Sequence, residues 1–158
     1  MSPPDGIDAQ SPAPKRVLVI DDEPRSVAGV IMELGLRGIA VDPVQTRQQA
    51  QSALARNAYD AVLLDLMIPE RETGEPRTDP PSSAHGFALL DGIRASTWEK
   101  GGTRADVPVV VMTGVGAEVS GVAQQLKARH IEQVFVKPVP PVLAAETLVD
   151  AMGEKRPC

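Results

Sequence analysis

Cysteine is almost missing from this chain of 158 residues, with Cys158 at the end as its one example. No internal disulfide can form, and neither a cysteine-based zinc site nor a stapled secreted scaffold fits. Aromatic residues are scarce as well, at 3% (Phe 2, Trp 1, Tyr 1), so the core has to be built from Val, Leu, Ile and Ala. The longest apolar runs, Ala61–Leu64 and Val107–Met112, fall far short of the roughly 18 residues that signal a membrane span. The N-terminus has no apolar stretch and carries Asp5 and Asp8 among prolines, unlike a secretory signal. Basic residues number 16 against 21 acidic ones, for a net charge of −5, and no Lys/Arg run supplies the face a phosphate backbone needs. These absences predict a cytoplasmic protein with no nucleic-acid partner and no membrane insertion.

What is present has an order. Residues 1–14 hold Pro3, Pro4, Pro12 and Pro14 among polar residues and read as a disordered Pro/Ser-rich tail. Residues 15–153 form the expected folded domain, and 154–158 a short C-terminal tail. Val17–Ile20 is an unbroken aliphatic run, the pattern of a strand buried on both faces. Pro24 then opens a helix with Val27, Val30, Ile31 and Leu34 on one side. A strand over Ile39–Val44 and a helix capped by Thr46, with Ala50, Ala53 and Leu54, come next. The alternation continues through the run Ala61–Leu66, a helix marked by Phe87, Leu90 and Ile93, and the run Val107–Met112. Val119, Val122, Ala123 and Leu126 mark another helix, Val134–Val136 a last strand, and Val142, Ala145, Leu148 and Val149 a helix opened by Pro141. Five β-α units with non-alternating strands imply an α/β fold, a parallel sheet covered on both faces. The stretch Glu70–Ala84, with Pro76, Pro80 and Pro81, breaks the rhythm and predicts an extended loop over 70–85.

In an open α/β sheet, ligands bind beyond the carboxyl ends of the strands. The first run ends in Asp21-Asp22, the third in Asp65, the fourth in Thr113-Gly114 and the fifth in Lys137-Pro138. Taken singly, an Asp pair reads as a loop or cap, a Thr as a turn hydroxyl and a Lys as surface. Asp65 interrupts an apolar run, where a charge is unfavourable unless paired. Three carboxylates, a hydroxyl and an ammonium gathered on one edge outweigh those bland readings.

The motifs VLVIDDEP (17–24), AVLLDLMIP (61–69), PVVVMTG (108–114) and VFVKP (134–138) resemble the receiver domain of bacterial two-component signalling, over about residues 17–152. The resemblance implies a flavodoxin-like (βα)5 fold with strand order 2-1-3-4-5. It implies that Asp65 accepts a phosphoryl group from a partner histidine kinase. Asp21, Asp22, Asp65 and the backbone carbonyl of Met67 would hold Mg²⁺, and Thr113 and Lys137 would receive the phosphoryl oxygens. A hard divalent cation is the natural neutraliser of clustered carboxylates, and a spread phosphoryl charge suits such donors. Receivers commonly place a cis peptide after the lysine, here Lys137–Pro138.

The chain departs from the family at three places. Val134 stands where a Tyr or Phe is usual, and Phe135 should face the other side of the sheet. The 70–85 loop is extended. No output domain is expected after the last helix, which leads to a single-domain response regulator switching a protein–protein surface. The alternatives are a phosphorelay intermediate serving a histidine phosphotransferase, and a pseudo-receiver that binds partners without phosphorylation. Met67 and Val115, both apolar, predict slow loss of the phosphoryl group, since neither can orient a water. His85 is placed in the loop and His130 at a helix end, neither as a metal ligand, and Trp98 is read as a partial core plug.

Overall fold

A computed structural model describes residues 14–70, 82–95, 98, 102–114, 121–131 and 133–153. The tails over 1–13 and 154–158, most of the extended loop (71–81), Val115 and Val119 lie outside the described residues. Five strands, β1 (Arg16–Ile20), β2 (Ala40–Val44), β3 (Ala61–Asp65), β4 (Val109–Thr113) and β5 (Gln133–Val136), form one sheet. Its order is β2-β1-β3-β4-β5 and every pairing is parallel. The helices are α1 (Pro24–Leu36), α2 (Arg47–Arg56), α3 (Ser83–Ala95), α4 (Val122–Ala128) and α5 (Pro141–Gly153). The β-α alternation implies a covered parallel sheet, and this strand order is the flavodoxin-like one that the family resemblance implies.

Alternate residues of each central strand feed opposite cores. Val17, Val19, Ala61, Leu63, Val110 and Met112 pack with Val27, Val30 and Leu34 of α1 and Ala144, Ala145 and Leu148 of α5. Leu18, Ile20, Val62, Leu64, Val109 and Val111 pack with Leu54 of α2, Leu89, Leu90 and Ile93 of α3, and Leu126 of α4. Each fully buried Leu, Ile or Val contributes about 1.5–3 kcal/mol, so β1, β3 and β4 are fixed in register from both sides. β2 is the sheet edge, and it tolerates Pro43 because an edge residue can lack a ladder donor. Val134 and Phe135 do divide between the two cores.

Two readings of single residues need correcting. Val142 is 45% exposed, and α5 buries Ala144 and Ala145 in its first turns instead. His85 lies in the first turn of α3, which begins at Ser83, and so is not in the loop. Trp98 packs partly buried against the α2–α3–α4 core. Among the described residues, no helix is long and apolar enough to cross a membrane.

Candidate functional site

Strand register decides which residues meet. Ile20 pairs with Leu64, Asp65 with Met112, and Thr113 with Val136. Asp21, following Ile20, therefore arrives level with Asp65, with Thr113 one residue and Lys137 two residues farther out along the carboxyl edge. The Asp21 amide bonds to the Val44 carbonyl at 3.0 Å and the Lys137 amide to the Thr113 carbonyl at 2.9 Å, which fixes both backbones. The Lys137–Pro138 peptide is cis.

Side chains converge on this frame. Asp21, Asp22 and Asp65 each bring an oxygen within 4.8 Å of the others'. The Lys137 ammonium donates to Asp21 Oδ2 at 2.7 Å and to Asp65 Oδ2 at 3.0 Å. Asp21 Oδ1 accepts the Glu23 N–H at 2.8 Å, and Asp65 Oδ1 accepts the Met67 N–H at 3.0 Å. Asp21, Asp65 and Thr113 are buried, whereas Asp22 is half-buried. The sequence presents Asp21 and Asp22 as an equivalent pair; the fold makes Asp21 the interior partner of Lys137 and leaves Asp22 nearer the surface.

The electrostatics follow from crowding. Burial pushes the Asp65 carboxyl above its ordinary range; the Lys137 and Met67 hydrogen bonds pull against this, and the Asp21 charge adds to the rise. For Lys137, burial acts to lower the ammonium, but hydrogen bonds and charge from Asp21 and Asp65 outweigh it and hold the group above its ordinary value. Lys137 thus bonds to two of the three clustered carboxylates. Oxygen-only donors at this spacing fit a hard cation such as Mg²⁺ and do not fit a soft metal.

The turn after Asp65 is tied down by residues that sequence reasoning missed. The Ile68 carbonyl accepts the Ser82 N–H at 3.0 Å and lies 2.8 Å from His85 Nδ1. The Pro69 and Glu70 carbonyls accept the Arg47 and Gln48 amides, and the Arg47 guanidinium grips the Glu70 carboxylate at 2.6 and 2.7 Å. Gly86 lets α3 approach, since a Cβ there would lie 2.4 Å from the Leu66 carbonyl oxygen. Only the Thr46 cap, which accepts the Gln49 N–H, had a local sequence signal.

No family model matches the chain. It is 41% identical over 108 residues to the transcriptional regulatory protein TcrA of Mycobacterium tuberculosis, a match covering 68% of this chain and 35% of that protein. The chain spans about a third of the length of the curated relatives it matches. Among solved structures it resembles a CheY-like response regulator receiver domain protein from Methanospirillum hungatei, with a TM-score of 0.71, 17% identity, and coverage of 90% of this chain and 97% of that one. It also resembles the receiver domain of a sensor histidine kinase from Pseudomonas aeruginosa, which has a magnesium ion coordinated in its active-site cleft (TM-score 0.64, 23% identity, covering 89% and 99%).

Proposed function

The chain carries the receiver fold of two-component response regulators, and from that premise we propose that it accepts a phosphoryl group on Asp65 from a partner histidine kinase. The observation that carries this reading is the Asp65 carboxylate held between the Lys137 ammonium and the Met67 N–H beside two further carboxylates. Asp21, Asp22, Asp65 and the Met67 carbonyl would hold Mg²⁺, which when bound supplies charge neutralisation at the carboxylates and the phosphoryl oxygens.

The residues of the chain do the rest. An Asp65 oxygen attacks phosphorus, the P–N bond to the kinase imidazole breaks, and the imidazole takes a proton as it leaves. The Met67 N–H and Lys137 orient the carboxylate so that its attack is in line, a positioning effect. As negative charge moves outward, Lys137 would follow it from Asp65 to a phosphoryl oxygen, and the Thr113 hydroxyl would donate to another. Met67 offers no polar side chain at the mouth, and this favours a long-lived phosphoryl group.

The intact acidic set with its lysine favours this reading over a phosphorylation-independent interaction module. Output passes to a protein target or a histidine phosphotransferase. The curated relatives are named as transcriptional regulators, and this chain matches about a third of their length, so a transcriptional output fits the reading. Incubation with acetyl phosphate and Mg²⁺, followed by intact-mass measurement, should show a gain of one phosphoryl group that EDTA abolishes. No gain in either condition rejects the proposal.

A further inference from the structure

The N-terminus of α2 does more than start a helix. Its amides have no partners within the helix and must find them elsewhere. Thr46 Oγ1 takes the Gln49 N–H at 3.0 Å, and the Thr46 carbonyl takes that of Ala50 at 3.0 Å. The Arg47 and Gln48 amides instead donate to the Pro69 and Glu70 carbonyls at 3.0 and 2.9 Å. The Arg47 guanidinium then closes a two-pronged pair with the Glu70 carboxylate. Through its backbone and its side chain, one residue holds two successive residues of the turn that begins at Asp65.

The inner part of that turn is held by the core, with Leu66 and Ile68 buried and the Leu66 N–H on the Met112 carbonyl at 3.4 Å. Between Asp65 and Glu70 lie the Met67 N–H on Asp65 Oδ1, the tight Ile68 N–H to Leu66 carbonyl contact, and the Ile68 carbonyl held by Ser82 and His85. Beyond Glu70 the chain enters a long proline-containing segment before Ser82. Leu66, Ile68 and Pro69 are buried, so packing fixes the middle of this six-residue turn, while its outer end at half-buried Glu70 is fixed by the α2 amides and the Arg47 side chain. The Arg47–Glu70 pair is partly buried, with side-chain exposures of 23% and 30%, and its fork geometry resists rotation in a way a single contact does not.

We propose that Arg47 is a positioning residue for Asp65: by clamping Glu70 it holds the Asp65–Glu70 turn so that the Met67 backbone stays set against the Asp65 carboxylate. The functional part of this assignment rests on the phosphoacceptor reading above. The geometric part does not, and it can be tested separately.

The test uses the full chain with Arg47→Ala, the milder Glu70→Gln, and the swap Arg47→Glu with Glu70→Arg, with folding checked by circular dichroism. Amide exchange at Met67, read by NMR without metal or phosphodonor, should quicken about tenfold in Arg47→Ala relative to the wild type. It should quicken less in Glu70→Gln and return toward wild type in the swap. In parallel, the Mg²⁺ concentration giving half-maximal binding by calorimetry should rise about tenfold in Arg47→Ala, the low end of what the outer partners of a metal site contribute. Unchanged Met67 exchange in Arg47→Ala and Glu70→Gln overturns the clamp, as does a loss the swap fails to restore. If the wild type binds no Mg²⁺ while Met67 exchange responds as stated, the clamp stands and the phosphoacceptor reading falls.

Discussion

Lys137→Met should destabilise the metal-free protein far more than the protein in Mg²⁺. The Lys137 ammonium lies 2.7 Å from Asp21 and 3.0 Å from Asp65, whose side chains are 0% and 7% exposed. Carboxylate charges within 4.8 Å of one another repel by at least about 3.5 kcal/mol at an effective dielectric near 20. Removing one partner of a buried pair typically costs about 3–5 kcal/mol. We expect a net loss of about 3 kcal/mol in EDTA at neutral pH, roughly 10 °C in midpoint for a domain of this size. A divalent cation does the neutralising work of the lost ammonium. The wild type gains from the same cation, so the deficit shrinks only as far as the variant binds Mg²⁺ more tightly; about thirtyfold tighter binding, worth about 2 kcal/mol, brings it to roughly 1 kcal/mol. Thermal unfolding followed by circular dichroism, in EDTA and in Mg²⁺, measures both values. A deficit under about 1 kcal/mol in EDTA, or one equal in the two conditions, refutes the reasoning.

Gly86→Ala should destabilise by about 1–3 kcal/mol despite the better helix propensity of Ala, because the new methyl meets the Leu66 carbonyl; a rise in the urea midpoint would contradict this. His130 holds φ 58° just past α4, so His130→Gly should raise stability by about 1 kcal/mol. The Arg94 bond there goes to the His130 carbonyl and survives the change, so a lower midpoint would show that the ring itself matters. Burial, aided by its hydrogen bond to Asp42, raises the Tyr59 phenol above its ordinary value. The unfolded chain therefore releases this proton first, and stability should fall as pH rises above about 10. Tyr59→Phe should flatten that decline, and identical slopes for wild type and variant would reject the assignment.

How much of this was legible in the sequence depends on the range of the interaction. β1, β3 and β4 announce themselves because strands covered on both faces need no polar alternation, and their last residues name the edge. Thr46 was legible because a cap acts within three residues of itself. The clamp between Arg47 and Glu70 joins residues 23 apart, and no local pattern marks it. Arg94 is similar: its guanidinium binds the carbonyls of Ala105, Val107, Arg129 and His130, tying α3 to the approaches of β4 and β5, yet the sequence shows only an arginine near a helix end. His85 was misplaced because Pro80 and Pro81 pulled the expected loop past the true start of α3 at Ser83. The unequal burial of Asp21 and Asp22 depends on where β1 stops relative to Val44, which only the sheet register supplies.

The central claim is that Asp65, and no other carboxylate on this edge, accepts the phosphoryl group. Borohydride reduction of the acetyl phosphate-treated protein converts an aspartyl phosphate to homoserine, which peptide mapping locates. The account predicts homoserine at position 65 alone, formed only when Mg²⁺ is present. Homoserine at Asp21 or Asp22, or none at position 65 in a sample whose mass shows the added phosphoryl group, would contradict it.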